Sequence, residues 1–456
     1  MYAKQSRLYT IILASLLLLF GWGSTSSSLQ AQSTIPASEQ EALLELYDQC
    51  GGSGWAEGYN WRAASGPDKY AGVIIQDGHV QGIALDQVGL TGQLPKSFFT
   101  AFPELRLVGL SNNRLSGPIP EAFGEMTKLQ ALTLSSNLWT GELPNLDKLV
   151  NMKILHLANF YNVDTKGNVI SEVTGTLPDI SKMPQLEYID ASYSKLSGQL
   201  PEQIGLCRNL QVLELSANQL TGSIPASLSE CTELQIFSVQ DNKMSGEIPD
   251  LGDLVNLGKP LDLGLGVTEP GRLYLNGNQF TGPFPESVAM LPRLERFSCA
   301  NNKLTGTLPQ DLSMMEDCEA FFADHNQFTG TLPQKLPKKL WYLDLGYNQF
   351  TGSIPTTWQD ATELGKGSLR NNNLSGTVPA IYKKLANLDM IDVRNCRFSF
   401  ADFKAWGAFL KNEDCMFRFG MQQAYSEPHK ESVKSGSDVT FDATYPGTLI
   451  GDEHYR

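Results

Sequence analysis

Among the residues of this sequence, paired carboxylates have the types and spacing that most resemble a catalytic or metal-binding site. Asp190 and Glu214 stand 24 residues apart, and Asp324 and Asp344 stand 20 apart, each pair in neighbouring repeats. On adjacent strands they would lie about 4.8 Å apart, close enough to hold Ca²⁺ or to act as an acid and a base. A solvated charged face explains the same pairs without any chemistry, and we expect no metal site.

The sequence carries no other pattern that is typical of catalysis. Its five histidines are scattered, and H-E-x-x-H, C-x-x-C, G-x-S-x-G and a phosphate-cradling glycine loop are all missing. We therefore predict that the protein is not an enzyme and needs no cofactor. The alternative that stays open is a glycan-processing enzyme that uses the paired carboxylates.

A phrase of eight residues recurs about every 24 residues and must position these side chains. In its clearest copy, Leu213-Glu-Leu215 precedes Asn218-Gln-Leu-Thr-Gly-Ser-Ile-Pro225. The alternation before the phrase predicts a short strand with one buried face. The glycine permits a positive φ, and the proline fixes φ where no backbone donor is needed.

The asparagine of the phrase marks what we call the ladder position. A buried amide, repeated in stacked coils, would satisfy the backbone groups of each turn. Thirteen such positions run along the chain, and nine hold Asn. The nine are Asn113, Asn137, Asn218, Asn242, Asn278, Asn302, Asn326, Asn348 and Asn372. The other four are Val88, Phe160, Ser194 and Cys396.

These copies resemble the leucine-rich repeat, in particular its plant-type subclass with L-x-G-x-[IL]-P. The resemblance covers about residues 38–420. It implies a repeat solenoid of the α/β type: a curved right-handed superhelix of about 13 coils with a parallel inner β-sheet and a cap at each end. It also implies ligand binding, since plant-type repeats of this kind form receptor ectodomains and inhibitors of secreted enzymes.

The N-terminus resembles a secretory signal peptide. Lys4 and Arg7 precede an apolar run that ends at Trp22, and small residues lead to Ala31, after which we expect cleavage. The run is too short to span a bilayer. We therefore predict a secreted or cell-surface protein whose mature chain has no transmembrane segment.

Four further regions follow residues 1–31. We predict an N-terminal cap over 32–78, repeats over 79–398, a C-terminal cap over 399–423, and an incomplete immunoglobulin-like module or linker over 424–456. In the first cap, Ser38 and Glu41 predict a capping box on an amphipathic helix. That cap resembles the plant type, although Ile75 stands where the family has a paired cysteine.

The net charge limits the classes of possible partner, and the cysteine content limits the possible disulfides. The net charge is −14, and removing residues 1–31, which carry only two charged residues, Lys4 and Arg7, makes it −16. An acidic surface disfavours nucleic acid. Most of the seven cysteines occupy core positions of the repeat, so we interpret them as small buried hydrophobic residues. Bridges between Cys207 and Cys231, and between Cys396 and Cys415, stay open.

The strand residues that flank the buried ones point away from the core and form the predicted ligand-binding face. A face of 13 strands would be roughly 60 Å long, which suits a protein, peptide or polysaccharide ligand. Two oversized coils, with insertions near 161–172 and 258–271, lie beside it. The predicted binding residues are Tyr188, Asp190, Glu214, Ile236, Arg272, Tyr274, Arg296, Phe322, Asp324, Tyr342 and Asp344.

Overall fold

Stacked coils make up the chain, as the repeats predict, and the repeat solenoid is confirmed. The computed structural model describes residues 35–159, 172–262, 268–381 and 384–399, with the short pieces 402, 416–418, 422, 432–434 and 440–442. The chain divides into two compact units. The first unit comprises 1–242 and 260–270, and the second comprises 243–259 and 271–456.

Each coil of the first unit contributes one short inner strand. An antiparallel hairpin opens the series, and parallel pairs follow it in register, so that Ile189 lies opposite Leu155 and Leu213. These strands are β1 (Val73–Gln76), β2 (His79–Ala84), β4 (Leu107–Gly109), β6 (Ala131–Thr133), β8 (Ile154–His156), β10 (Tyr188–Asp190), β11 (Val212–Glu214) and β12 (Ile236–Ser238).

The inner strands of the second unit follow the same rule. Phe297 lies opposite Leu273 and Phe321 in parallel register. These strands are β16 (Arg272–Tyr274), β18 (Arg296–Ser298), β19 (Ala320–Phe322), β20 (Tyr342–Asp344), β22 (Lys366–Ser368), β24 (Met390–Asp392) and β25 (Met416–Arg418).

A second set of short parallel strands follows the ladder positions. In the first unit these are β3 (Thr91–Gly92), β5 (Arg114–Pro118), β7 (Leu138–Glu142) and β9 (Glu172–Thr174). In the second unit they are β13 (Ser245–Glu247), β17 (Gln279–Thr281), β21 (Thr351–Gly352) and β23 (Asn373–Leu374). Two antiparallel hairpins lie outside these sets: β14 (Leu261–Asp262) with β15 (Thr268–Glu269), and β26 (Ser432–Lys434) with β27 (Thr440–Asp442).

The core lies inside each coil. Leu213 and Leu215, the two apolar residues before a ladder position, have no exposed surface. On the returning side, a proline such as Pro225 directly precedes a short 3-10 helix, where its fixed φ suits the bend and its missing N–H costs nothing. The 3-10 helices are Gly52–Gly54, Trp61–Ala63, Pro67–Lys69, Lys96–Phe99, Glu121–Glu125, Ile180–Lys182, Ile204–Leu206, Ala226–Glu230, Glu286–Met290 and Thr356–Asp360.

Asparagine amides at the ladder positions join each coil to the one before it. The Oδ1 of Asn218 accepts a hydrogen bond from Leu196 N at 3.1 Å, and its Nδ2 donates to Ala191 O at 2.9 Å. Each of the other eight ladder asparagines likewise accepts a backbone N–H of the preceding coil. Cys396, which replaces Asn, donates from Sγ to Leu369 O at 3.4 Å.

Positive φ angles recur at two places in most of the described coils. The glycine four residues after the ladder position, such as Gly222 at 76°, has the positive φ that the sequence predicts. The residue directly before the ladder position also has one, although it is usually not glycine. His325 and Tyr347, for example, have φ angles of 52° and 53°. Seven of these twelve residues are Asn, Asp, Gly or His, the types that adopt a positive φ most readily.

The N-terminal helix α1 spans Ala37–Gln49 and begins earlier than a capping box at Ser38 requires. The carbonyl of Pro36 accepts from Glu39 N and Gln40 N, so Ser38 lies inside the first turn, and no side chain caps the helix. The predicted capping box is therefore wrong. Glu39 is buried instead, and its carboxylate accepts from Val80 N at 2.7 Å and contacts His79 Nδ1 at 2.6 Å.

Six cysteines lie within the described residues, and all six are buried with free thiols. Burial raises the pKa of Cys231 to about 12 and that of Cys207 to about 11. Cys415, the signal segment 1–31, the first insertion over 161–171 and most of 403–456 lie outside the described residues. The predictions for those segments therefore stay predictions.

Candidate ligand-binding face

Outward strand positions of the first unit are mostly buried. Asp190, Glu214 and Ile236 are each less than a tenth exposed. Asp190 Oδ1 accepts from Ser192 N at 3.0 Å and from Ser192 Oγ at 2.5 Å. Glu214 accepts from Ser216 Oγ, which lies 2.6 Å from Ser238 Oγ. Short serine side chains two residues along the chain thus satisfy these carboxylates locally.

The second insertion explains the burial of Ile236. Leu261, in the hairpin of β14 and β15, packs against Val212 and Ile236, with Tyr188 against the same cluster. We predicted that Ile236 belongs to the open ligand-binding face, and that prediction is wrong because Leu261 covers it. The hairpin is joined to its coil at Gly258 and Gly271, where a Cβ on Gly271 would lie 1.9 Å from Gly258 O.

His156 is a buried residue of the first unit that the sequence reasoning missed. Its Nε2 lies 3.5 Å from Asp190 Oδ2, and its ring lies 6.0 Å from that of Tyr188. In the same unit, Asp86 Oδ1 accepts from Ser111 N at 2.8 Å and from Thr133 Oγ1 at 3.1 Å. Burial raises the pKa of Asp86. One sequence signal could have grouped three of these residues. Each occupies the third position of its strand: Thr133, His156 and Asp190.

The second unit places aromatic and charged side chains at its outward positions. The rings of Phe322 and Tyr342 meet edge to face at 5.0 Å, and both residues are half-buried. Arg272 and Arg296 lie opposite each other on β16 and β18, and Arg296 is exposed. Tyr274, beside Ser298, is half-buried.

Asp324 and Asp344 lie in neighbouring coils but have different partners. Asp324 Oδ2 contacts His325 Nδ1 at 2.7 Å, while Asp344 Oδ1 accepts from Gly346 N at 2.9 Å. Burial raises the pKa of Asp344 to about 6; the Gly346 hydrogen bond opposes the rise and the Asp324 charge adds to it.

A stack of three side chains beside this pair was also missed. The rings of His325 and Tyr347 lie 3.9 Å apart and nearly parallel, and the Arg370 guanidinium lies 5.1 Å from the Tyr347 ring. The two rings belong to the positive-φ position before the ladder. The repeat pattern does not specify which side chains of neighbouring coils stack, so the sequence alone did not bring these residues together.

Within the described ranges, no three His, Cys, Asp or Glu residues are grouped so that they could hold a metal ion. In that same part of the chain, no helix has the length and apolar character needed to cross a membrane.

Comparison with protein families finds leucine-rich repeats in three segments of the chain. The profile of the Leucine Rich Repeat family matches residues 104–126, 209–231 and 339–361. Similar curated proteins include Pollen receptor-like kinase 2 of Arabidopsis thaliana, 31% identical over 145 residues, which are 31% of this chain and 21% of that protein. Receptor-like protein kinase 7 of Arabidopsis thaliana is 30% identical over 193 residues, 38% of this chain and 20% of its own length.

Solved structures agree with these sequence matches. The PEPR1–AtPEP1 crystal structure has a TM-score of 0.69 and 25% identity, over 85% of this chain and 52% of that one. The TDR receptor structure has a TM-score of 0.58 and 27% identity, over 74% and 59%. The chain thus spans about a fifth of the curated relatives it matches and about half of these solved chains. Both kinds of likeness support leucine-rich repeats of the plant type.

Proposed function

We propose that this chain is an extracellular recognition protein that binds a protein, peptide or polysaccharide through outward strand side chains of its second unit. The observation that carries the proposal is the pair of half-buried rings of Phe322 and Tyr342 on the outward face. Rings that serve the core, such as Phe297 and Phe321, have no exposed surface. Phe322 and Tyr342 therefore lie outside the core, and aromatic and arginine residues dominate binding energy at interfaces.

The contrast with the first unit restricts the proposed face. Asp190, Glu214 and Ile236 are occupied by internal contacts. We therefore centre the binding face on the outward residues of the second unit. These are Arg272, Tyr274, Arg296, Phe322, Asp324, Tyr342 and Asp344.

The comparisons support a role in recognition outside the cell. The similar curated proteins are receptor-like kinases by name, and the matched PEPR1 structure includes AtPEP1. In keeping with that likeness, we propose a secreted or surface-displayed protein and a role without catalysis. Adhesion and enzyme inhibition are two roles of this kind.

A fourfold substitution tests the face. Replacing Arg272, Tyr274, Phe322 and Tyr342 by Ala should abolish binding, because truncating each central contact costs about 2 kcal/mol. The thermal unfolding midpoint should change little, since these side chains lie outside the core. Ligands are first selected from a displayed random-peptide library and a glycan array with the native protein. Their affinities for the native protein and for the fourfold variant are then measured.

A matched control replaces four exposed apolar residues that lie outside the proposed face. Leu206, Val255, Met290 and Met314 are between 46% and 59% exposed, and their substitution by Ala should leave binding intact. Unchanged affinity in the fourfold face variant would place the ligand elsewhere. A chain that binds nothing saturably would act only as a spacer.

One observation favours a second candidate, a glycan-processing enzyme. The pKa of Asp344 near 6, beside Asp324, is the arrangement that an acid and base pair needs. Turnover of a polysaccharide by the native protein, abolished in both Asp344→Asn and Asp324→Asn, would decide for this candidate. Binding without turnover decides against it.

A further inference from the structure

Exposed aromatic side chains gather in one coil of the second unit. Eight large apolar or aromatic side chains of the described residues are exposed, and the aromatic ones among them are Trp341 and Tyr347. Tyr342 joins Trp341 and Phe322 through edge contacts, with ring centroids 6.2 Å and 5.0 Å away. We call Trp341, Tyr342 and Phe322 the aromatic track. It crosses the face at the level of β19 and β20.

Trp341 is held in place although it is 45% exposed. A Cβ at position 365 would lie 2.4 Å from its Nε1 and 2.8 Å from its Cδ1, so the indole rests directly against the backbone of Gly365. The Lys366 ammonium lies 4.9 Å from the ring centroid. A large ring fixed by its neighbours loses little conformational freedom when a ligand packs on it.

Polar groups that can bond to hydroxyls lie beside the aromatic track. Asp324 and Asp344 supply carboxylate oxygens on the neighbouring coils. Arg370 lies against the Tyr347 ring, and its Nε is buried with no hydrogen-bond acceptor among the described residues. In the described part of the chain this guanidinium has no carboxylate partner within ion-pair distance. The Nε is too buried to meet a ligand, so the donors that a ligand can use are the terminal nitrogens of this stacked guanidinium.

The backbone of this face offers little to an extended peptide. Tyr342 N donates to Glu319 O, Leu345 N donates to Ser368 O, and β20 pairs with β19 on one side and β22 on the other. No strand edge is left at this point for a peptide to add to. Recognition must therefore use side chains, namely aromatic rings flanked by carboxylates and a guanidinium.

A sugar ring matches this set of side chains. The C–H face of a pyranose packs on an aromatic ring, and its hydroxyls donate to carboxylates and accept from guanidinium groups. The net charge of −14 disfavours a polyanionic glycan. Resting on the proposed function, we infer that the aromatic track with Asp324, Asp344 and Arg370 is a subsite for a neutral pyranose polysaccharide.

Titration calorimetry with neutral and acidic sugars tests this subsite. The probes are cellohexaose, mannohexaose and xylohexaose, with polygalacturonate and heparin as acidic probes. At least one neutral hexasaccharide should bind the full chain, and Trp341→Ala should weaken it about tenfold, because the ring supplies a stacking contact. Met314→Ala, which removes a similarly exposed side chain of the same unit, should leave the affinity unchanged.

Three results would overturn the inference: no neutral sugar binds, only acidic sugars bind, or Trp341→Ala binds a neutral sugar as tightly as the native chain. A Trp341→Phe variant, which keeps an aromatic ring, should recover part of the lost affinity. If peptides from the displayed library bind and depend on Arg272 and Phe322 while no sugar binds, the glycan subsite fails and the proposed function stands.

Discussion

Carboxylates at the third residue of the inner strands have different surroundings in the two units. Asp190 and Glu214 accept hydrogen bonds from serine hydroxyls two residues along the chain. Asp344 has Gly346 at that place, so a single backbone N–H replaces the hydroxyl. Burial then raises the pKa of Asp344 to about 6. One repeat position can thus hold carboxylates of unlike acidity, which the repeat pattern does not reveal.

The raised pKa of Asp344 predicts a pH dependence of stability. Because the folded pKa lies above the unfolded value of 3.8, the stabilising contribution of the neutral form is complete below about pH 4 and lost as pH rises through 6. Asp344→Asn should therefore exceed the native protein in unfolding free energy by about 1–2 kcal/mol at pH 7, after discounting for partial exposure. That advantage should vanish by pH 4 in urea titrations.

Asp311 provides the control with the opposite sign. The Lys335 hydrogen bond and those of Ser313 lower the pKa of Asp311 to about 2. Its contribution is therefore present above about pH 4 and lost as pH falls towards 2. Asp311→Asn should leave the profile between pH 4 and 7 unchanged. A native profile that stays parallel to that of Asp344→Asn across this range would contradict the assignment.

At the scale of elements, the hairpin of β14 and β15 shows that an insertion can pack back onto the strands. The 36 residues from Asn242 to Asn278 exceed the usual repeat length and therefore indicate an insertion. The length of the step does not say that Leu261 turns back onto Val212 and Ile236. The hairpin therefore covers part of the first unit's inner strands.

Removing the Leu261 side chain should release the hairpin without unfolding the coils. A buried Leu→Ala change costs about 2–5 kcal/mol in a core, and this contact is a local one, so we expect the lower end of that range. Leu261→Ala should speed amide hydrogen exchange of 260–270 roughly thirtyfold, with little change in the thermal midpoint. Val255→Ala, at an exposed site, should leave exchange unchanged, and equal exchange in both variants would refute the packing role.

The sequence predicts features that depend on one coil alone and misses those that join side chains of different coils. Period and alternation place the strands, and the glycine at Gly222 has the φ expected of it. The start of α1, the burial of Ile236 and the stacking of His325 on Tyr347 were all missed. Each depends on a distant partner or a side-chain rotamer that a repeat pattern does not specify.

At the scale of the whole molecule, free thiols are spread through both units. Cys50, Cys207 and Cys231 are buried in the first unit, and Cys299, Cys318 and Cys396 are buried in the second. Burial raises the pKa of each of these six thiols. Since the thiolate is the reactive form, these cysteines are unreactive while their coils stay folded.

Alkylation therefore reports the opening of each unit. With iodoacetamide at pH 8, the six thiols should react slowly in buffer and rapidly once urea opens their coils. Because stacked coils stabilise their neighbours, the three thiols of one unit should become reactive over the same urea range. Peptide mass spectrometry measures each site. Fast reaction of Cys207 or Cys299 without urea would contradict the buried assignment.

The ladder contacts have a direction, which bears on how the chain forms during synthesis. Asn218 bonds to Leu196 and Ala191, both in the coil made before it. A coil leaving the ribosome therefore has unpaired backbone groups until the following coil delivers its amide. The thiol of Cys396 is a weaker partner than an amide. The pattern nevertheless continues past it, because Gln422 Oε1 accepts from Phe398 N at 3.2 Å and its Nε2 donates to Val393 O at 3.1 Å.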